Sequence, residues 1–266
     1  MGVKVPIFAH QLPKPYRALP LHPTIEGCRA SVYYLGEEYI LKLFDPHEDS
    51  TTETALYPHL HRLPVPLPLA HFMLEEREAL LFPKLSGTHP ISPSFSQLRT
   101  IGAFLQQLHS LTIPPLPLSK RYGKSVLYAK IQRSQYPPLL DYYHTLEVPE
   151  LREHKLIHGD LFRDNALFEE ERLTGVIDWS DCAWGDPLFD VAVVALDWCF
   201  EKERLKSEKL SVLLHSYHPS LDKKSILPYI SYALLYYATT RYLAQGNYQI
   251  LLKKLERLHV SLLSGI

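Results

Sequence analysis

Cysteine is scarce in this chain: Cys28, Cys182 and Cys199 are the only three in 266 residues. They are too few and too scattered for a disulfide framework or a paired-cysteine zinc ribbon, so a reducing compartment is the expected setting. Long apolar runs are missing too. A membrane helix needs roughly 18 uninterrupted apolar residues, whereas the run at 191–196 is closed off by Asp190 and Asp197. Residues 1–10 show no charged-then-apolar leader pattern, and the expectation is a cytoplasmic protein with no membrane partner. Neither charge is in excess, with 28 Lys and Arg against 29 Asp and Glu and a net charge of -1. That balance argues against a dedicated nucleic-acid binder, whose domain is ordinarily strongly basic. Glycine is short, at 11 against 22 prolines, and no internal repeat or low-complexity tract is found. What remains is 46% hydrophobic and 21% charged, which excludes global disorder and supplies a sizeable core.

The length suits one large domain or two lobes sharing an interface. Residues 1–23, with Pro6, Pro13, Pro15, Pro20 and Pro23 and little periodicity, read as an extended arm. Ser31-Val32-Tyr33-Tyr34-Leu35 and Tyr39-Ile40-Leu41-Lys42-Leu43-Phe44 are strand-like and flank a turn at Gly36. Residues 50–62 read as a helix opening at Ser50, broken by Leu63-Pro64-Val65-Pro66-Leu67-Pro68. Apolar runs at 69–74 and 79–85, separated by Glu75-Glu76-Arg77-Glu78, predict a hairpin. From Phe95 the texture changes: Ile101, Leu105, Leu108 and Leu111 recur at helical spacing up to the Pro114-Pro115 stretch. Residues 123–146 read as helix interrupted at Pro137-Pro138, 155–178 as short strands around a polar loop, and 187–217, 222–244 and 247–264 as helices. The expectation is an α+β, bilobal fold: an arm at 1–23, a small β-rich lobe at 24–90, and a larger, mainly helical lobe at 91–266.

Unusual residues concentrate in Leu156-Ile157-His158-Gly159-Asp160-Leu161-Phe162-Arg163-Asp164-Asn165. A further apolar run ends in Val176-Ile177-Asp178. A solvated turn is the plain reading of such a loop; what resists it is the residue types. Phosphoryl transfer from ATP needs a carboxylate to take the acceptor's proton, and oxygen ligands for Mg²⁺, a hard ion. Asp160, Asn165 and Asp178 supply that set. A cation for the phosphates is then required from the small lobe, and Lys42 fits, alternating with Ile40 and Phe44 on one strand face. Its charge needs a partner, although an edge-strand lysine that snorkels would not. Glu53 has two readings. Ser50-Thr51-Thr52-Glu53 is a capping-box sequence, and Glu53 is also the natural counter-ion for Lys42. With Lys42 and the loop both present, the ion pair is preferred.

His158-Gly159-Asp160-Leu161-Phe162-Arg163-Asp164-Asn165, then Ile177-Asp178-Trp179, then Gly185-Asp186-Pro187-Leu188-Phe189-Asp190, resembles the aminoglycoside phosphotransferase and choline-kinase-like family. These are protein-kinase-like enzymes that act on small molecules. The resemblance extends to Lys42, the Glu53 helix, Val65-Pro66-Leu67-Pro68 and Gly102-Ala103-Phe104-Leu105-Gln106-Gln107-Leu108-His109, spanning about residues 24–200. It implies Asp160 as catalytic base, Asn165 and Asp178 as Mg²⁺ ligands, and Lys42 on the ATP phosphates, oriented by Glu53. It further implies His158 as a structural tie of the loop, Asp190 as its buried stabiliser, and the adenine against the interlobe link at 82–85. The turn Glu26-Gly27-Cys28-Arg29-Ala30-Ser31 departs from the family by holding a single glycine. Gly27 and Ser31 are its candidates for presenting N–H groups to phosphate, an ordinary hairpin turn being the other reading.

The acceptor is less legible. Leu161-Phe162-Arg163-Asp164-Asn165 through Leu173-Thr174-Gly175-Val176-Ile177-Asp178 looks most like homoserine-kinase-type members, whereas Trp179 and Gly185-Asp186-Pro187 look more like the choline and aminoglycoside branches. Acceptors across those branches are often hydroxylated amines, which makes Asp181, Trp184, Asp197 and Trp198 candidates for recognition, with packing or surface roles as the alternative. Arg241 is a candidate for an acceptor carboxylate, or a helix-surface arginine. His59, His61, His215 and His218 form no metal-ligand pattern. The expectation is a kinase of a small hydroxylated metabolite such as homoserine or choline, with an aminoglycoside kinase as alternative. A nucleotide-binding pseudokinase stays open because of the glycine-poor turn. A protein kinase is disfavoured, since Pro187 follows Asp178 too closely for a long activation segment. Oligomeric state is not legible.

Overall fold

Five antiparallel strands, β1 (Leu21–Pro23), β2 (Ala30–Leu35), β3 (Tyr39–Phe44), β4 (Ala70–Leu74) and β5 (Arg77–Pro83), of which β2 and β3 are the richest in aromatic and β-branched residues, lie in the spatial order β1-β2-β3-β5-β4. The structure, a computed structural model, describes residues 7–24, 30–45, 48, 50–152 and 154–263. Alternation sorts the two sheet faces. Leu41, Leu43, Ala79 and Leu81 join Leu12, Tyr33, Leu35 and Leu74 in a core of their own. Phe44, Leu80 and Phe82 point the other way. With Leu56 of α1 (Thr51–Leu56) they run on into the core of the large lobe. Lys42 has that second register, opposite Leu80, so the strand carries its ammonium to the junction of the lobes.

Two expectations change here. Residues 7–23 are not a free arm: two 3-10 turns, Ala9–Gln11 and Lys14–Tyr16, lead into β1, which pairs with β2, and Leu12 is wholly buried. β1 is an edge strand, where a proline such as Pro23 leaves no ladder hydrogen bond unmade. Helix α1 is also shorter than 50–62 and gives way at Pro58 to a 3-10 turn, Tyr57–His59.

The large lobe begins with α2 (Phe95–Ser110), whose Ser94 and Gln97 form a reciprocal capping box at 3.1 Å each way. It is followed by α3 (Lys124–Ser134) and α4 (Pro137–Thr145), the latter opening on Pro137, which a first helical turn tolerates. Two small two-stranded antiparallel sheets hold the polar loop. β6 (Lys155–Ile157) pairs with β9 (Ala183–Gly185), and β7 (Ala166–Glu169) pairs with β8 (Arg172–Val176). The stretch 187–217 is not one helix. After α5 (Pro187–Trp198) a hairpin, β10 (Phe200–Glu201) and β11 (Arg204–Leu205), intervenes before α6 (Ser207–Tyr217). α7 (Lys223–Leu243) and α8 (Gln249–Leu263) complete the lobe. α2 lies against α6 at Gly102, where a Cβ would come within 2.9 Å of the Leu213 carbonyl oxygen. A side chain there forces the helices apart. No helix among the described residues is long and apolar enough to cross a membrane.

Candidate active site

The loop leaving β6 is held from below by α5. Asp190 is wholly buried there. Its Oδ2 accepts the His158 main-chain N–H at 2.9 Å and a hydrogen bond from His109 Nε2 at 3.1 Å, and its Oδ1 accepts the Gly159 N–H at 2.8 Å. Burial alone would raise this carboxyl, but the His109 bond and these further donors outweigh it and hold it below its ordinary value. Gly159 has φ +78°, and a Cβ would sit 2.2 Å from the Tyr122 hydroxyl oxygen, so the turn is closed to any side chain. His158 Nδ1 accepts the Asp160 N–H at 3.2 Å, which assigns the ring proton to Nε2, donating to the Ile177 carbonyl at 3.0 Å. Burial pushes this imidazole below its usual value and keeps it neutral.

Asp160 emerges from the loop partly exposed. Asn165 Nδ2 donates to its carbonyl at 2.7 Å and reaches its carboxylate Oδ2 at 3.3 Å. The Asn165 amide oxygen is thereby turned away, and it has no hydrogen-bond partner among the described residues. Its backbone carbonyl accepts the Ile177 N–H at 3.0 Å, which ties Asn165 to the segment carrying Asp178.

Across the lobe junction, Lys42 Nζ donates to Glu53 Oε1 at 2.6 Å, to Ser180 Oγ at 2.8 Å and to Asp178 Oδ1 at 3.1 Å. Glu53 is buried and its other oxygen accepts from the Tyr57 hydroxyl at 2.9 Å. The capping box at Ser50 does not form. Glu53 spends its carboxylate on the lysine because a buried ammonium left alone costs far more than an unmade cap. Asp178 lies two residues beyond β8, in the left-handed region at φ 57°, a conformation that costs a non-glycine residue of order 1–3 kcal/mol and persists where surroundings impose it. Half its side chain is exposed. Desolvation opposes its charge, but the Lys42 ammonium and the Ser180 hydroxyl hold the carboxyl well below the usual range. Lys42 is likewise opposed by burial and is raised by Asp178 and Glu53. Asp178 Oδ2 and the Asn165 amide oxygen are both hard donors without a hydrogen-bond partner among the described residues, which is the ligand type Mg²⁺ takes.

The structure thus brings together Lys42, Glu53 and Asp178, and, on the neighbouring loop, Asp160, Asn165, His158 and Asp190. Other candidates lie apart from this cluster or are already engaged. Gly27 is outside the described residues. Ser31 is almost fully buried inside β2 opposite Leu43, in the sheet and not in a turn. Trp198 is wholly buried with its indole N–H on the Leu161 carbonyl at 3.2 Å, which removes it from any acceptor and makes it a packing residue. Trp184 donates to the Leu116 carbonyl at 3.1 Å from β9. Asp181 is ion-paired to Arg121 at 2.8 Å, and Asp197 to Arg163 at 3.0 Å, so neither is a bare carboxylate for a cationic amine. Arg241 is partly exposed beside the Phe162 ring. Sequence reading assigned no role to Ser180 or His109. Ser180 sits two residues after Asp178 but meets Lys42 across 138 positions, and no local signal marks that contact.

A family model described as the phosphotransferase enzyme family matches residues 22–211. Homoserine kinase of Pseudomonas aeruginosa is 30% identical over 200 residues, covering 65% of this chain and 63% of that protein. Homoserine kinase of Methylobacillus glycogenes is 26% identical over 232 residues, covering 75% and 70%. The chain therefore spans less than two thirds of the length of the Pseudomonas relative. Among solved structures, the GDP complex of aminoglycoside 2'-phosphotransferase-IIIa superposes with a TM-score of 0.66 at 16% identity, covering 93% of each chain. A choline/ethanolamine kinase family protein from Mesorhizobium loti gives 0.65 at 14% identity, covering 91% of this chain and 87% of that one. At these identities the two structures speak for the fold, which is the bilobal protein-kinase-like one.

Proposed function

The chain belongs to the phosphotransferase enzyme family, and from that premise we propose that it is an ATP- and Mg²⁺-dependent kinase transferring the γ-phosphate to a hydroxyl of a small metabolite. The observation that carries this reading is the 3.1 Å contact between Lys42 of the small lobe and Asp178 of the large one, beside the loop of Asp160 and Asn165. A cation, two oxygen ligands and a carboxylate base are then gathered at one junction. In this reading residues 24–90 bind the nucleotide phosphates, with β1 and the preceding turns as part of that lobe, and residues 91–266 hold the catalytic loop and the acceptor. The adenine lies against the link at 82–85. The chain works in the cytoplasm, in keeping with the buried free thiols of Cys182 and Cys199.

Lys42, oriented by Glu53, binds the α/β-phosphates. Asp178 and Asn165 would hold Mg²⁺, which when bound would neutralise charge on the nucleotide's phosphates. Asp160 receives the acceptor's hydroxyl hydrogen bond and takes its proton as the oxygen attacks the γ-phosphorus and the bond to the ADP oxygen breaks. Asn165 Nδ2 keeps the Asp160 carboxylate aimed, and the neutral His158 keeps the loop at its distance from Ile177. The curated relatives support homoserine as acceptor, and an aminoglycoside is the second reading. Asp160→Ala is expected to abolish ATP consumption while nucleotide binding persists; unchanged turnover in that variant would refute the role. ADP release with homoserine, choline, kanamycin and a generic protein separates the acceptors. Nucleotide binding with no turnover of any acceptor would make the chain a binding module.

A further inference from the structure

Between the loop after Asp160 and helices α5, α7 and α8 lies a cleft of about 500 Å³ with a partly apolar floor that includes Phe162, Leu196 and Phe200. Its lining carries five cationic side chains and two carboxylates, and both carboxylates are already paired. Asp197 takes Arg163 with both oxygens, Oδ2 accepting from Nε at 3.0 Å and Oδ1 from Nη2 at 3.2 Å. Glu201 pairs with Lys206 at 3.0 Å and Lys209 at 3.4 Å. Two inward cations are left without a counter-ion among the described residues. Arg241 sets its guanidinium 5.4 Å from the Phe162 ring centre and makes no ion pair among the described residues, although the exposed Asp164 lies near enough to feel its charge. Lys254 is only 8% exposed, yet among the described residues its Nζ bonds to the Leu196 carbonyl alone, at 2.8 Å, and lies 5.0 Å from the Phe200 ring centre. A buried ammonium ordinarily has a carboxylate partner. Burial, opposed by Asp197 and reinforced by Arg163 and Arg241, pushes this one down to about 8.

We propose that this cleft binds the carboxylate of the acceptor between Arg241 and Lys254, with the Arg163–Asp197 pair as its rigid wall. Phe162 and Arg163 follow Asp160 by two and three positions, and that much chain spans at most about 7–11 Å. The cleft wall therefore begins within that reach of the Asp160 backbone, and in this proposal the acceptor sets its hydroxyl at Asp160 and its carboxylate in the cleft. The inference rests on the kinase reading and narrows its acceptor to hydroxy acids. Choline or a polycationic aminoglycoside would meet like charge here.

The test compares homoserine with 3-aminopropan-1-ol, which lacks only the carboxylate, alongside choline and kanamycin. Wild type, Arg241→Gln and the near-isosteric Lys254→Met are used, each checked for an unchanged melting profile. Homoserine is expected to be preferred over its decarboxylated analogue. In the variants its KM should rise roughly 10- to 100-fold, the size of a lost hydrogen bond to a charged group. kcat and the KM for ATP should move far less, and the discrimination between the two acceptors should collapse. Preference for choline or kanamycin, or an unchanged homoserine KM in both variants, would overturn the proposal. So would inorganic phosphate that binds wild type but not Arg241→Gln without competing with homoserine, since the cleft would then serve a separate anion. If no acceptor drives ATP consumption, the kinase reading fails on its own account. Calorimetric titration of homoserine then decides the cleft: binding lost in the variants supports it, and no binding, or equal binding, overturns it.

Discussion

Replacing Asp190 by asparagine keeps the side chain's shape and removes its charge beneath the catalytic loop. Three donors converge on the carboxylate: the N–H groups of His158 and Gly159 and the His109 ring, at 2.8–3.1 Å. An amide offers one acceptor oxygen and turns an NH₂ toward at least one of those donors. Losing a hydrogen bond to a charged acceptor costs about 1.5–3 kcal/mol, and stranding a buried donor costs about 1–3 kcal/mol more. Asp190 and His158 are wholly buried and His109 nearly so, so bulk solvent does not reach the stranded donor. Roughly 3–5 kcal/mol is then removed from a total that is typically about 5–15 kcal/mol. At about 2–4 °C per kcal/mol for a chain of this size, the melting temperature should fall by about 6–20 °C. Turnover should drop about 100-fold or more among the molecules still folded, because a loop shifted by ~1 Å misplaces Asp160. Differential scanning calorimetry and ADP release measure the two effects. His109→Gln, which retains a donor, should lose less of both. A stability loss below ~1 kcal/mol with near-normal turnover would refute the argument, and would mean that His158 and Ile177 hold the loop without α5.

Glu53→Ala strands Lys42 with only Ser180 and the half-exposed Asp178, so the KM for ATP should rise about tenfold or more; an unchanged value would show that the lysine needs no orienting. Ser180→Ala removes the hydroxyl that accepts from Lys42 and can donate to Glu53 or Asp178. It should cost about 1 kcal/mol of stability in urea titration, and the contact is idle if the midpoint does not move. Gly159→Ala should fail to accumulate as folded protein, since its Cβ meets the Tyr122 hydroxyl oxygen at 2.2 Å and its φ is positive; normal soluble yield and turnover would contradict that. His158 and His259 both have folded values lowered by burial. The unfolded chain therefore binds more protons once pH falls below about 6.5, and stability should decline from pH 7.5 to 5.5. Asp178 and Asp190, lowered as carboxylates, keep their contribution above about pH 4 and lose it only as pH drops through their folded values. Equal urea midpoints at pH 7.5 and 5.5 would count against the histidine assignment.

The small lobe was readable because its signals are local. Alternation in Tyr39-Ile40-Leu41-Lys42-Leu43-Phe44 already puts Lys42 on the face opposite Leu41 and Leu43, where the sheet carries it. Residues 7–23 show no local sign of their place in the sheet, because prolines at 13, 15, 20 and 23 suppress periodicity, while burial of Leu12 and pairing of β1 depend on the distant β2 and β5. The break in the stretch 187–217 is hidden from local pattern for a related reason. Phe200 and Leu205 continue an apolar rhythm that the turn at Lys202, with φ 55°, converts into a hairpin.

Sequence by itself determined the order and chemical types of the residues in the loop, the faces of the strands and most boundaries, since prolines and periodicity act over a few positions. Tertiary structure alone decided which of several locally acceptable partners each side chain took. Glu53 had a cap within reach three residues away, and chose a lysine made available only by folding. Asp197 and Trp198, both plausible before an acceptor, were claimed by Arg163 and by the Leu161 carbonyl. Arg241 and Lys254 were left without an ion pair among the described residues. Such choices rest on desolvation and on contacts tens of residues apart along the chain, and those exist only once the lobes have closed around them.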